Sequence, residues 1–234
     1  MARSSLSKRI FLFLGFAASG LIAFIFLTVL LFRFVNPPIS AFMLGFLLDS
    51  SSKPLRHDWV DLEKISPLMP LAVIASEDQT FLNHWGFDLN AISSAIEDYQ
   101  QGEGLRGAST ISQQTAKNLF LWNGRQFIRK IFEAGITLCI ELSWDKHRVM
   151  EVYLNIAEFG EGIYGIEAAS RYYFGISAKQ LSLTQAALLA SSLPNPKKFN
   201  PSRPTNYMWK RVNWITQQMR QLGGTAYVSR LIRG

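Results

Sequence analysis

Two separate stretches of the chain carry residue types that can move a proton and hold an anion. The first places Glu77 and Asp78 directly after an apolar run, with Phe81 and His84 shortly behind them. On one continuous helix, Glu77, Phe81 and His84 would share a face. Burial and the neighbouring Asp78 would then raise the pKa of Glu77, as a general base needs. A solvated acidic helix face with a capping histidine is the alternative interpretation.

The second stretch combines a glycine, hydroxyls, amides and a cation, namely Gly107, Ser109, Thr110, Gln114, Lys117 and Asn118. Gly107 allows close backbone approach, and Ser109 lies where a helix start favours anions. Gln114, Lys117 and Asn118 share a helix face. Further cations follow at Arg125, Arg129 and Lys130. Such a cluster suits a phosphate or pyrophosphate. A capped surface helix with basic residues that only solvate it is the alternative.

Glu133 is a second candidate carboxylate. It follows Arg129 and Lys130 by four and three residues, so a helical ion pair explains it. The residues around it are apolar, which also fits an acid that faces a cleft. Two carboxylates near cations suit glycosyl chemistry, in which one handles a proton and the other steadies developing charge.

The elements that must position these residues are helical. Apolar periodicity predicts helices at 71–84, 89–101, 110–121, 127–142, 146–157, 163–174, 183–193 and 205–222. Thr110-x-x-Gln113 predicts a capping box, and Gly223-Gly224 is expected to close the final helix. No alternating strand pattern of convincing length occurs. We therefore predict a mainly α domain with a single core.

The N-terminal region predicts a membrane anchor. No charged residue occurs from Ile10 to Phe32, and a helix of that length spans about 34 Å. A cleaved signal peptide is the competing interpretation, but the apolar region is long for one. Basic residues before the span predict a cytoplasmic N-terminus. A second apolar stretch, 34–48, fits either a segment along the membrane surface or an ordinary docking segment, and Asp49–Asp58 is expected to be a polar linker.

Charge and cysteine content exclude several classes of protein. Residues 34–234 carry 20 basic and 17 acidic residues, a net of +3, so no nucleic-acid partner is indicated. The single cysteine, Cys139, permits no intramolecular disulfide, and no Cys/His pair has metal-ligand spacing. The sequence itself requires no cofactor.

These residues fall into ordered motifs that resemble a known family. Glu-Asp-x-x-Phe-x-x-His-x-Gly occurs at 77–86, Gly-x-Ser-Thr-Ile-x-Gln-Gln-x-x-Lys-Asn at 107–118 and Arg-Lys-x-x-Glu at 129–133. Later matches include Tyr153-Leu154-Asn155 and Tyr173-Phe174-Gly175. They resemble the glycosyltransferases that polymerise peptidoglycan from lipid II, as in the transglycosylase module of penicillin-binding proteins. The chain looks most similar to the stand-alone, monofunctional members of Gram-negative inner membranes.

The resemblance implies a lysozyme-like glycosyltransferase domain behind one transmembrane helix. The implied segments are a cytoplasmic N-terminus (1–9), an anchor (10–32), a membrane-proximal segment and linker (33–64) and a periplasmic catalytic domain (65–234). It further implies lipid II and the growing glycan strand as substrates. Cell-wall synthesis or division proteins are expected as further partners. No transpeptidase activity is expected, because Lys-Thr-Gly does not occur.

The resemblance also assigns roles to individual residues. Glu77 matches the general base, Lys117 and Arg125 match positions that hold the pyrophosphate, and Glu133 matches the second functional carboxylate. A divalent cation, Mg²⁺ or Mn²⁺, is expected on the pyrophosphate, with unassigned protein ligands. Two other classes stay open, a membrane-anchored glycan hydrolase and a catalytically idle scaffold. The cations near Lys117 favour the transferase, since a hydrolase has no use for a pyrophosphate site.

Overall fold

The computed structural model describes residues 3–49, 53–100, 109–124 and 126–232. The fold is mainly α, as predicted, and divides into two compact units, Met1–Pro37 and Pro38–Gly234. The first unit contains helix α1, Arg3–Phe32. Within the described ranges, the Lys8–Phe32 part of α1 is the one helix long and apolar enough to cross a membrane.

The second unit is built mostly from helices. They are α2 (Ala41–Leu48), α3 (Leu68–Glu77), α4 (Leu89–Gln100), α5 (Ile111–Phe120), α6 (Phe127–Ser143), α7 (Lys146–Ile156), α8 (Ile166–Phe174), α9 (Leu183–Ser192), α10 (Asn206–Gln221) and α11 (Thr225–Ile232). Short 3-10 turns lie at Leu62–Lys64 and Ala178–Gln180. Most of the predicted helices are therefore confirmed, with corrections at several ends.

Helix α3 forms the centre of the core. Its residues from Met69 to Ala75 are all buried, and the helix packs against α9, α10 and α11. A helix that is apolar on every side is stable only when other elements surround it. This burial places Glu77, the last residue of α3, at the point where the core opens to the surface.

The predicted helix 71–84 is too long, because α3 ends at Glu77. Asp78 caps the helix with an extended φ of −164°, and residues 78–86 continue as turns. The reason is tertiary: the Asp78 carboxylate accepts a hydrogen bond from the Ile111 backbone N–H at the start of α5, 3.0 Å away. Phe81 and His84 therefore do not share a helix face with Glu77, and that expectation is wrong.

A small sheet was not anticipated. Strands β1 (Arg56–His57), β2 (Glu158–Gly160) and β3 (Ile163–Tyr164) lie in the order β1-β3-β2. β1 runs parallel to β3 and β2 runs antiparallel to it. Strands of two or three residues are too short to show an alternating pattern. The predicted polar linker thus contains a strand, and the helix predicted at 163–174 begins only at Ile166.

Helices α2 and α11 lie at the two ends of the second unit. In the second apolar stretch, α2 buries Met43 and Phe46 and packs against α5, which favours the docking interpretation. At the C-terminus, Gly223 and Gly224 do close α10 with φ of 94° and 67°. They do not close the final helix, because α11 follows and buries its own apolar residues against α3 and α7.

Candidate active site

Glu77 lies at the end of α3 with one donor on each carboxylate oxygen. The Gln114 side-chain amide donates to Oε2 at 3.1 Å, and Arg211 Nη2 on α10 lies 3.4 Å from Oε1. The Tyr153 hydroxyl donates to Gln114 Oε1 at 3.2 Å. That bond directs the amide nitrogen of Gln114 towards Glu77. The carboxylate is therefore held in one orientation by α5, α7 and α10 together.

The surroundings of Glu77 tune its protonation. Burial raises the pKa of Glu77 above its ordinary value, while Gln114, Arg211 and Lys117 pull it down. Asp78 adds a smaller upward contribution to that pKa. Both predicted causes therefore raise the pKa of Glu77, and burial is the larger of the two. A carboxylate that is desolvated yet held by donors can accept a proton near neutral pH.

The turn behind Glu77 is held by Asp78 and His84. Gly86 N–H donates to His84 Nδ1 at 3.0 Å, so the other ring nitrogen, Nε2, donates to Asp78 Oδ1 at 2.9 Å. Phe81 is fully buried, and its ring meets that of His84 edge-on. Asp78 and His84 are hydrogen-bonded to each other and to backbone groups, so these motif residues support the turn beside Glu77.

The start of α5 is the predicted capping box. The Thr110 hydroxyl accepts from Gln113 N–H, and the Gln113 side chain accepts from Thr110 N–H. The Thr110 hydroxyl also donates to Gly86 O at 2.7 Å, which ties the two motifs together. Ser109 lies just before the cap and accepts from Lys130 Nζ at 3.1 Å. Gly107 falls outside the described residues.

Cations gather around Glu133 on α6. Arg129 Nη1 and Lys130 Nζ each lie 2.5 Å from one oxygen of Glu133, which is only 2% exposed. Arg129 Nε also donates to Gly124 O at 2.8 Å. The helical ion pairs are therefore confirmed. Because both Glu133 oxygens are taken, this carboxylate orients Arg129 and Lys130. Arg125, another predicted cation, falls outside the described residues.

Lys117 on α5 interacts electrostatically both with Glu77 and with the charged groups around Glu133. Burial lowers the pKa of Lys117, Glu133 and Glu77 raise it, and Arg129 and Lys130 lower it. Its ammonium lies 5.6 Å from the centre of the Phe42 ring on α2. A partly desolvated ammonium among other cations gains free energy when an anion enters.

One cavity is lined by Glu77, and a second is lined by its hydrogen-bond partner Gln114. One, of about 340 Å³, is lined by Glu77 itself and by hydroxyl, amide and carboxylate groups, including Thr80, Asp88, Asn90, Ser94 and Ser109. The other, of about 370 Å³ and called here the Lys117 cavity, is lined by Gln114, Lys117, Asn118, Tyr153, Glu158 and Lys197 among others. The predicted common face of Gln114, Lys117 and Asn118 therefore does line one site.

Sequence reasoning missed three residues of the cleft. Arg211 contacts Glu77 although 134 positions separate them, and no spacing rule connects such residues. Glu158 and Lys197 line the Lys117 cavity from β2 and from the loop after α9. A charged residue on a short strand gives no sequence signal of its own. The proline and asparagine content of residues 194–197 was the sequence feature that could have pointed to this loop.

The cleft offers oxygen atoms that suit a hard cation. Glu158 Oε1 and Asn118 Oδ1 are buried and have no hydrogen-bond partner among the described residues. Both residues line the Lys117 cavity, and oxygen atoms are the ligands that Mg²⁺ and Mn²⁺ prefer. A separate trio with atoms within 4.8 Å of one another lies outside the cleft, at Glu63, His147 and Glu151. Its Glu151 already pairs with Arg148.

The sequence matches known proteins over most of its length. The family described as Transglycosylase matches residues 45–220. A biosynthetic peptidoglycan transglycosylase of Marinomonas sp. is 55% identical over 197 residues, 84% of this chain and 85% of the relative. The protein of the same name from Shewanella oneidensis is 54% identical over 218 residues, covering 92% and 94%. One from Pseudomonas putida is 50% identical over 232 residues, 97% of each chain.

Proposed function

The chain belongs to the transglycosylase family and is a peptidoglycan transglycosylase, and from that premise we propose how its site works. The enzyme polymerises lipid II into glycan strands by inverting glycosyl transfer. The acceptor 4-hydroxyl oxygen forms a bond to the anomeric carbon of the donor. The bond from that carbon to the pyrophosphate breaks, and undecaprenyl pyrophosphate leaves with the electron pair. Glu77 takes the hydroxyl proton.

The observation that carries this proposal is that Glu77 lines one cavity while Gln114, its hydrogen-bond partner, lines a second cavity of different character. On one side, the cavity lined by hydroxyls, amides and Asp88 suits the many hydroxyls of an acceptor sugar. On the other side, the Lys117 cavity suits a charged leaving group. Glu77 can then accept the proton of an acceptor hydroxyl in the first cavity while the pyrophosphate lies beside Lys117 in the second. Gln114 and Arg211 fix the base before substrate arrives, which lowers the reorganisation needed in the transition state.

Lys117 neutralises the pyrophosphate as charge develops on it. Arg129 and Lys130, oriented by Glu133, add positive charge near Lys117, and Asn118 supplies a polar group in the same cavity as Lys117. The role of Arg125 stays a prediction from the family motif. A divalent cation, when bound, would supply further positive charge to the pyrophosphate, and Glu158 and Asn118 are the residues that would hold it.

The membrane is the proposed place of action. α1 contains an apolar span, and the bacterial relatives cover nearly the same length. On α6, apolar side chains are exposed along one side of the helix, among them Phe127 (81%), Ile128 (63%) and Ile131 (58%). Such a stripe suits contact with a lipid surface. We place the enzyme in a Gram-negative inner membrane with its catalytic unit in the periplasm.

The direct test is polymerisation of lipid II by the purified full-length chain. Wild-type protein is expected to make glycan polymer, and Glu77→Gln is expected to make none, because glutamine cannot accept the proton. Glu97→Gln, which changes an exposed carboxylate on α4, is the matched control and should polymerise normally. Undiminished polymerisation by Glu77→Gln would remove Glu77 as the base. Shortening of preformed glycan without consumption of lipid II would favour a hydrolase.

A further inference from the structure

Three aromatic residues form an exposed row along α10 and the loop before it. Tyr207 and Trp214 are 55% and 43% exposed, and Phe199 stacks on Tyr207 with ring centres 5.3 Å apart and an interplanar angle of 21°. We call these three residues the aromatic row. None of them lines the cavity of Glu77 or the Lys117 cavity, and the chemistry at Glu77 does not use them.

The side of α10 that carries the row also contacts the cleft. Its residues recur at steps of four, three and four positions and share one face of the helix, namely Tyr207, Arg211, Trp214 and Gln218. Arg211 Nη2 lies 3.4 Å from Glu77 Oε1. Gln218 Oε1 accepts a hydrogen bond from Gln79 Nε2 at 3.1 Å. The two exposed rings therefore lie beside the cleft, on the same helix face as these two contacts.

Each end of this face leads to a residue that lines a cavity. Gln79, the partner of Gln218, lines the cavity of Glu77. Phe199, the partner of Tyr207, comes two residues after Lys197, which lines the Lys117 cavity. A chain of sugars that leaves the cleft can therefore continue along α10 on the protein surface.

The composition of this exposed side suits a sugar chain. An aromatic ring packs against the apolar C–H face of a pyranose, while the hydroxyls around that sugar need hydrogen-bond partners. Lys210, Gln217 and Gln221 are exposed on the same side of α10 and supply such groups. Seven positions separate Tyr207 from Trp214, which is about 10 Å of helix and comparable to the length of a disaccharide. A lipid surface is a poorer match, because the amides and the ammonium would lose hydrogen bonds to water there.

We propose that the aromatic row binds the growing glycan strand, at sugar units beyond the pair that reacts at Glu77. The site rests on the proposed function, since the strand is the product of that reaction. It adds no group to the chemical step. It holds the strand on the enzyme between successive additions, so it sets how many additions occur before the strand dissociates.

The variants that test the row truncate exposed rings. Tyr207→Ala and Trp214→Ala are combined in one protein, and the fold should survive because both rings are largely outside the core. Trp209→Ala is the matched control. Trp209 is on the same helix and is 42% exposed, but it lies about 200° round the helix from Tyr207. Melting curves check that both proteins fold.

The first measurement is the affinity for chitohexaose, a β-1,4-linked oligomer of N-acetylglucosamine that carries no lipid and no pyrophosphate. Binding to the full-length chain in detergent is followed by saturation-transfer NMR. Each ring is expected to contribute about two- to tenfold in affinity, so the double variant should bind at least about fourfold more weakly than wild type. Trp209→Ala should bind as wild type does. Equal affinity of the double variant and wild type would overturn the proposal.

The second measurement is product length in the lipid II assay, in detergent and in vesicles. The double variant should make shorter strands in both, and strand length should fall more than the rate of lipid II consumption. Shortening in vesicles alone would make the row a membrane contact and would overturn the proposal. If wild type makes polymer and the double variant matches it in strand length and in chitohexaose affinity, the row alone is wrong. If wild type makes no polymer, the proposed function itself is wrong, and the role of the row is wrong with it.

Discussion

Arg211 offers a sharp test of how the base is tuned. It lies on α10, outside the motif residues, and places Nη2 3.4 Å from Glu77 Oε1. Its side chain is 23% exposed, and that of Glu77 is 14% exposed, so solvent screens the pair only partly. Four charged or titratable groups influence Glu77 or respond to it, namely Arg211, Lys117, Asp78 and Tyr153. Arg211→Gln removes one positive charge and keeps much of the side-chain length.

The expected effect is a shift of the acidic limb of the pH–activity profile to higher pH. Two unit charges 4 Å apart interact by about 4 kcal/mol near a protein surface, and a hydrogen bond to a charged group contributes a net of about 1.5–3 kcal/mol. The value of about 1.5–3 kcal/mol already includes the cost of desolvation. It corresponds to a shift of one to two units in the pKa of Glu77. Arg211 lowers the pKa of Glu77, so its loss must raise that pKa. Activity should then appear one to two pH units higher than in wild type.

The measurement is kcat/KM for polymerisation between pH 5 and 9. The plateau at high pH should return to within a few-fold of wild type, because the base itself is intact. Arg211→Lys should restore part of the shift, since it returns the charge without the planar fork. Lys210→Gln, at the exposed neighbouring position on α10, should leave the limb in place. Two results for Arg211→Gln would show that Arg211 does not lower the pKa of Glu77. One is an acidic limb at the same pH as in wild type, and the other is a loss of kcat/KM that is equal at every pH.

Three further outcomes follow from the site. Lys117→Ala should lower turnover by about 10²–10³-fold, which is the usual loss when one donor to a developing anion is removed. Wild-type turnover of this variant in a lipid II assay would contradict the pyrophosphate role of Lys117. Glu77→Gln should raise the melting temperature at pH 7 but not at pH 4. A carboxylate whose folded pKa is raised stabilises the protein only below its unfolded pKa of about 4.5, and that contribution is lost as the pH rises through the folded value. Calorimetric scans at both pH values check the sign. Gly86→Ala should destabilise the chain by about 1–3 kcal/mol in denaturant unfolding. The reason is that Gly86 has φ +79° and its Cβ would lie 2.7 Å from Thr137 Cγ2. Unchanged stability would mean that the turn relaxes freely.

Local interactions were predicted well. The capping box at Thr110 and the pairs from Arg129 and Lys130 to Glu133 depend on spacings of three and four residues within one helix. Helical geometry alone brings such side chains together. The expected burial of Glu77 also followed from its position after an apolar run. In each case the interaction partners lie within one element or next to it.

The errors occurred where distant segments decide the local conformation. The apolar run before Glu77 is followed by residues that could continue a helix, and sequence periodicity predicted that they do. The chain turns because Asp78 is bonded to the Ile111 N–H and to His84, and the first of these lies 33 residues away. Strands of two residues exist only because β3 lies between β1 and β2. Neither cause can be seen within a sequence window.

The amino-acid sequence alone determined the residue types of the site, their family motifs, the helical class and the apolar span before the catalytic unit. Those properties depend on composition and short spacings, which the chain carries in any conformation. Only the tertiary structure decided which donor meets which oxygen of Glu77, because Gln114, Tyr153 and Arg211 arrive from three helices far apart in the chain. It also decided that Glu133 orients Arg129 and Lys130 and that Glu158 and Lys197 line the same cavity as Lys117. Cavities and desolvation arise from packing between elements, and a linear order of residues does not specify them.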